Sequence, residues 1–152
     1  MKQKLPSSSG LTRVVFDTNV FIASALSKSD RSPNKELISR WKAGEFQLVI
    51  SDGILKEVVE KLIIKGIGKD KVIALLTDFF LLADWVEVRS EEIKNLIPND
   101  PDDNEVIACA LIGKANFLVT YDPHFDILGK IYQGVYIMEP LKFLTFLRQQ
   151  LQ

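Results

Sequence analysis

The chemistry this chain can offer is carried by carboxylates. Asp17 directly follows the apolar run Val14-Val15-Phe16, and Asp122 closes the run Phe117-Leu118-Val119-Thr120-Tyr121. An aspartate after a strand is a good turn former, and for either residue alone that reading is sufficient. Between them lies Asn99-Asp100-Pro101-Asp102-Asp103-Asn104, just ahead of an apolar segment with Val106, Ile107 and Ala110. One aspartate suffices to cap a helix there. Three acids and two asparagines in six residues go beyond that need and build a negative patch that a cation would offset. Glu57 falls off the apolar stripe of its own segment and is free to face either a cleft or solvent.

Oxygen donors without histidine or cysteine support select Mg²⁺ or Mn²⁺ over Zn²⁺. The chain has one histidine, His124, and one cysteine, Cys109, which lies in a helical pattern that buries it. Neither a zinc site nor a Ser-His-Asp triad can be assembled from these parts. A glycine-rich phosphate loop and a dinucleotide fingerprint are also missing from the sequence.

Scattered acids need a scaffold to bring them together, and the periodicity supplies one. Arg13 to Phe16 is a short β-branched run that reads as a buried parallel strand. Ser32-Pro33 looks like a cap and first turn for a helix through Trp41 that stops at Gly44. Phe46 to Ile50 reads as a second strand. Ser51 can then cap a helix whose stripe is Ile54, Leu55, Val58, Val59, Leu62 and Ile63, with Gly66 and Gly68 ending it. Lys69 to Ala83 is helical, Trp85 to Val88 is a strand or a helix exit, and Pro98 to Asp102 is a turn-rich loop. Helix over Val106 to Ala115, strands at Phe117 to Thr120 and Val135 to Met138, and a helix from Pro140 to Leu151 complete the pattern. Strands separated by helices imply parallel pairing, so the expected fold is α/β: a three-layer α/β/α sandwich around a mainly parallel sheet of about five strands. Ligands in such sheets bind outside the carboxyl ends of the strands, which is where Asp17 and Asp122 emerge.

Composition narrows the functions. With 152 residues and 47% apolar side chains, one well-filled domain over residues 12–152 is expected, behind a disordered polar tail over residues 1–11. A net charge of -1 means that a nucleic-acid partner must be held by a local basic patch or through bound metal. Lys56, Lys61, Lys65, Lys69 and Lys71, with Arg31, Lys35 and Arg40 on the preceding helix, are candidates, although a solvated helix face explains most of them. The unpaired Cys109 suits a reducing cytoplasm, and neither a signal peptide nor an apolar run of the roughly 20 residues that span a bilayer is found. Phe79-Phe80-Leu81-Leu82 reads as core or as a homodimer face.

Four blocks then fall into a known order. Val-Val-Phe-Asp17-Thr-Asn-Val-Phe, Ser51-Asp-Gly-Ile-Leu-Lys-Glu57-Val, Asp100-Pro-Asp-Asp103-Asn-Glu-Val-Ile-Ala-Cys-Ala and Ala115-Asn-Phe-Leu-Val-Thr120-Tyr-Asp122 together resemble the PIN-domain family. The closing Gly134-Val-Tyr-Ile-Met-Glu-Pro-Leu-Lys-Phe-Leu is similar to the end of stand-alone prokaryotic PIN proteins grouped as toxins of toxin–antitoxin pairs. The resemblance implies that Asp17, Glu57, Asp103 and Asp122 bind Mg²⁺ or Mn²⁺ and cut RNA by hydrolysis, leaving a 5′-phosphate. Asp103 is chosen because it stands three residues before Val106, with Asp102 and Asp100 as alternatives if the register shifts. Thr18, Asn19, Asn104 and Thr120 are implied to orient carboxylates or water. An antitoxin protein and a homodimer are the implied protein partners, with no membrane association. Tyr121-Asp122-Pro123-His124 departs from the family, whose members often carry glycine or serine beside the acid, and this alters the expected pocket shape. A haloacid-dehalogenase-type phosphatase needs a second acid where this chain has Asn19, and a phosphorylation receiver domain needs adjacent acids on an earlier strand. The remaining alternative is a degenerate PIN module that binds RNA or protein without cutting.

Overall fold

The structure is a computed structural model and describes residues 10–150. Residues 1–9 of the expected tail lie outside the described residues. Strand β1 (Arg13–Phe16) carries Val14, Val15 and Phe16, all essentially excluded from solvent, as a parallel strand covered on both faces requires. Helix α1 (Thr18–Leu26) begins at once, with Asp17 as its cap. The sequence pattern assigns no element there. Val20, Phe21 and Ile22 are consecutive and all buried, so the helix shows no amphipathic period to read.

Helix α2 (Pro33–Lys42) and strand β2 (Gln47–Ile50) follow, then α3 (Asp52–Ile64), opened as expected by Ser51, whose hydroxyl accepts from the Ile54 amide at 3.3 Å. Helix α4 (Lys69–Leu82) leads into the two-residue edge strand β3 (Asp84–Trp85). Helix α5 (Pro101–Ile112) starts five residues earlier than expected, because Asp100 caps it and Pro101 fits its first turn. Strand β4 (Phe117–Val119), the hairpin of β5 (Ile131–Tyr132) and β6 (Val135–Met138), and helix α6 (Pro140–Gln150) complete the order.

Among the described residues the sheet has six strands in the order β3-β2-β1-β4-β6-β5, all parallel except the β5–β6 pair, and helices flank it. The sixth strand, beyond the expected five, is β5. It is only two residues long and shows no alternation; a tight turn at Gln133 and Gly134, at φ 46° and 86°, folds it onto β6.

The core is aromatic. Phe143 of α6 meets Phe46 at 5.4 Å and Phe117 at 5.1 Å between ring centroids, and Phe16 reaches Phe46 at 5.6 Å. Phe79 joins Phe21 and Trp41 at the other end of this core. The apolar run on α4 therefore divides: Phe79 is fully buried, while Phe80 and Leu81 are 70% and 75% exposed.

The pairing has one consequence for chemistry. β1 and β4 are adjacent and parallel, with Phe16 opposite Val119, so the residues that follow each strand emerge side by side. Helix α5 precedes β4 and returns antiparallel to it, which brings the helix's first turn to that same carboxyl edge. Cys109 lies on the sheet side of α5, completely buried, and burial pushes its thiol up to about 12. Cys109 should resist a thiol reagent in the native protein and react only at the rate of global unfolding. Labelling within minutes under native conditions would contradict the rotational setting of α5 that places Asp102 and Asp103.

Candidate active site

Asp17 is the centre of the carboxyl edge. It is buried, its amide donates to the Val119 carbonyl at 2.9 Å, and its carboxylate is held from several sides. Oδ1 accepts from the Thr18 amide at 2.8 Å; Oδ2 accepts from the Thr120 hydroxyl at 2.7 Å and the Asn19 amide at 3.3 Å. The same Thr120 oxygen accepts from the Asp122 amide at 2.9 Å, so one hydroxyl ties the two strand-end aspartates together. Asn19 in turn accepts from the Tyr121 amide at 3.3 Å.

The aspartates ahead of α5 have separate tasks. Asp100 is the helix cap: its Oδ1 accepts from the Asp103 amide at 3.1 Å. Asp103 is therefore released from capping. It is 6% exposed, and its charge is felt together with those of Asp17 and Asp122. Asp102 turns to the other side, against Glu57 of α3. Glu57 also accepts from the Thr18 hydroxyl and pairs with Lys61 at 3.6 Å. Gly53 of α3 lies directly against the Glu105 carboxylate of α5, which accepts from the Ser51 hydroxyl at 3.0 Å.

Asp17, Asp103 and Asp122 thus meet at the end of β1 and β4, and Glu57 is joined to them through Thr18 and Asp17. The PIN domain family model matches residues 13–124, from the start of β1 to the residue pair beyond Asp122. The chain belongs to the PIN-domain family. Several solved structures share its fold. VapBC2 from Rickettsia felis, bound to a DNA fragment from its promoter, aligns with a TM-score of 0.59 at 14% identity over 83% of this chain and 98% of that one. Mycobacterium tuberculosis VapC20, described as a sarcin–ricin loop cleaving toxin, gives 0.56 at 15% identity over 81% and 98%. No curated protein matches the chain in sequence. None of the helices among the described residues is long and apolar enough to cross a membrane.

Three further side chains complete this PIN site or stand outside it. His124 is the one that sequence reasoning passed over. Its Nδ1 lies 3.1 Å from Asp100, 3.4 Å from Asp103 and 3.3 Å from Asp122. The available signal was Asp122-Pro123-His124 itself: Asp122 caps a single 3₁₀ turn, accepting from the His124 amide at 2.9 Å, and this folds the imidazole back over the acids. Tyr121 is 43% exposed, while its hydroxyl accepts from the buried Asn34 amide at 2.7 Å. Asn104, by contrast, is not brought to the carboxylates. Its Oδ1 accepts from the amides of Leu96 and Ile97 at 3.0 and 2.8 Å, and its Nδ2 donates to the Ile97 carbonyl at 2.9 Å, so it fastens the loop before α5.

The acids are electrostatically strained. Burial, Asp100 and the charges of Asp17 and Asp122 push the Asp103 carboxyl up to about 8. Burial also raises Asp17, against the pull of the Thr120 and Thr18 hydrogen bonds. Burial and neighbouring Asp102 raise Glu57. Asp100 goes the other way: burial opposes its ionisation, but hydrogen bonds from Asp103 and His124 outweigh it. Such a set fits a hard divalent cation, because every donor but His124 is a carboxylate and their mutual repulsion is what a cation relieves. Among the described residues, Asp100, Asp103, Asp122 and His124 form the group whose donor atoms all lie within 4.8 Å of one another.

The Asp103 carboxyl holds its proton up to about 8 when folded but releases it at 3.8 when unfolded. Folded Asp103 therefore favours stability at low pH and loses that advantage as pH rises between those values. Asp103→Asn should leave the metal-free protein at least as stable at neutral pH, with a shallower fall in melting temperature across that window. It should also shrink the thermal shift produced by Mn²⁺, which at ten times the dissociation constant amounts to about 1.4 kcal/mol. Identical pH profiles and identical Mn²⁺ shifts for both proteins would remove Asp103 from the site.

Proposed function

We propose that this PIN protein is a metal-dependent endoribonuclease that hydrolyses phosphodiester bonds of single-stranded RNA as the toxin of a toxin–antitoxin pair. The observation that carries the reading is the meeting of Asp17, Asp103 and Asp122 at one sheet edge, where their shared charge calls for a cation. In this reading Asp17, Glu57, Asp103 and Asp122 hold Mg²⁺ or Mn²⁺. The ion supplies a water of lowered pKa and a counter-charge for the leaving oxygen.

The chain's own residues do the rest. Thr18, Thr120 and Asn19 fix both oxygens of Asp17, so its carboxylate enters the reaction already oriented. Lys61, beside Glu57, is placed to meet a phosphate of the strand. Exposed Tyr121, anchored at its hydroxyl by Asn34, offers a base a stacking face. Stacking needs bases that are free of a duplex, which favours a single strand. A net charge of -1 makes such local contacts necessary.

The likeness to VapBC2 and to the toxin VapC20 supports an antitoxin protein as partner. We further propose one PIN domain over residues 12–152, working in the cytoplasm as a homodimer through the exposed Phe80 and Leu81 of α4.

Cleavage of unpaired RNA should require Mg²⁺ or Mn²⁺ and stop in excess chelator, as followed on labelled single-stranded oligonucleotides. A pure, metal-loaded preparation inert on all RNAs would support the binding-module alternative instead. Asp17→Asn keeps the shape and removes the charge, so turnover should fall by more than tenfold, about 1.4 kcal/mol of barrier, while the circular dichroism spectrum is unchanged. A variant that keeps most of its rate would exclude Asp17 as a group that holds the ion.

A further inference from the structure

The geometry points to His124 as a nitrogen ligand of the metal, added to the carboxylates of that site beside Asp103 and Asp122, with Asp100 next to them, so that the site is a mixed carboxylate–imidazole centre. The inference rests on the reading of the acidic edge as a metal site. It adds a donor of different chemistry, with consequences for which ion is held.

Convergence is the first argument. Nδ1 of His124 stands 3.1 to 3.4 Å from carboxylate oxygens of three different residues, Asp100, Asp103 and Asp122. One ion pair would explain a single such distance; contacts to the cap and first turn of α5 and to the cap of its own turn place the nitrogen over the middle of the acid group. Donors on one ion, each about 2.0 to 2.2 Å from it, are never much more than 4 Å apart. The donor atoms here already lie within 4.8 Å of one another, so side-chain adjustments that move them by less than about an ångström suffice.

Placement is the second argument. Pro123 fixes the backbone of the turn, and the Asp122 carboxylate accepts from the His124 amide at 2.9 Å, so the short turn that carries the imidazole is tied directly to one of the acids it faces. Neutral imidazole protonated on Nε2 presents its Nδ1 lone pair to the space that the three carboxylates enclose. The histidine side chain is 61% exposed and its imidazole contacts are with Asp100, Asp103 and Asp122, outside the apolar core, so removing it leaves the core packing intact.

Chemistry then sets the expected selectivity. Carboxylates alone suit Mg²⁺, whereas an imidazole ligand adds affinity for Mn²⁺ and still more for Co²⁺. His124 is the only histidine in the chain, so its signals are unambiguous in untagged protein. Isothermal titration with Mg²⁺, Mn²⁺ and Co²⁺ should be run on wild type, His124→Ala and His124→Gln. Both variants should lose about tenfold or more in Co²⁺ affinity and a similar factor for Mn²⁺, with Mg²⁺ much less affected. In the Co²⁺-loaded wild type, proton NMR should show a paramagnetically shifted imidazole N–H that is missing from both variants. Equal losses for all three ions, or an unshifted imidazole, would overturn the assignment of His124 while leaving a carboxylate site in place. Failure of wild type to bind any of the three would overturn the metal reading itself and this inference with it.

Discussion

Phe16 stands opposite Val119 in the parallel pair β1–β4, and one residue further the Asp17 amide donates to the Val119 carbonyl at 2.9 Å. This register decides which side chains meet. Strand periodicity is two, so a slip of one residue would turn Asp17 away from Thr120 and move Val15 and Phe16 onto the wrong faces. The aromatic packing of Phe16 against Phe21, Phe46 and Phe143 resists such a slip. Each buried aromatic contributes on the order of 1.5 to 3 kcal/mol of transfer free energy, at least as much as a single hydrogen bond at the edge. Core packing thus sets the register, and the register sets the site.

The same arrangement works against stability at the edge. Asp17 and Asp103 are buried with like charges near them, and both resist ionisation. Within the metal-free protein the strain is shared out in two ways. Hydroxyl and amide donors hold Asp17, and the imidazole of His124 sits against Asp100, Asp103 and Asp122. Neither device neutralises the group as a divalent ion would. A site that is costly when empty and relieved when filled is the pattern expected of function and not of structural capping.

Much of this was legible in the residues. Strand ends at Asp17 and Asp122 follow from apolar runs, and Ser32, Ser51 and Gly44 mark helix boundaries by well-understood local chemistry. What escaped reading had physical reasons. Helix α1 is buried on too many sides to show a period, and β5 is too short to alternate. His124 carries no helical or strand signal, because its position depends on a single capped turn. For Asn104 the family resemblance implies a place beside the carboxylates. Its amide instead satisfies three backbone groups of Leu96 and Ile97, a demand that arises only once Ile97 is buried.

The three aspartates ahead of α5 show why local composition and three-dimensional role need separate arguments. A helix start has use for one cap, and Asp100 takes it. Successive helical residues point about 100° apart, so neighbours Asp102 and Asp103 cannot serve the same side. Asp103 faces the strand ends and Asp102 faces Glu57. Between these sides runs a chain of contacts: Glu57 accepts from the Thr18 hydroxyl, the Thr18 amide donates to Asp17, and Thr120 joins Asp17 to Asp122. Threonines are well suited to those links, since each brings a hydroxyl for a carboxylate and a β-branched body stiff enough to hold it. Losing the Thr120 hydroxyl would release Asp17 Oδ2 and the Asp122 amide together, whereas losing the Thr18 hydroxyl would release Glu57 alone, because Asp17 is held by the Thr18 backbone amide.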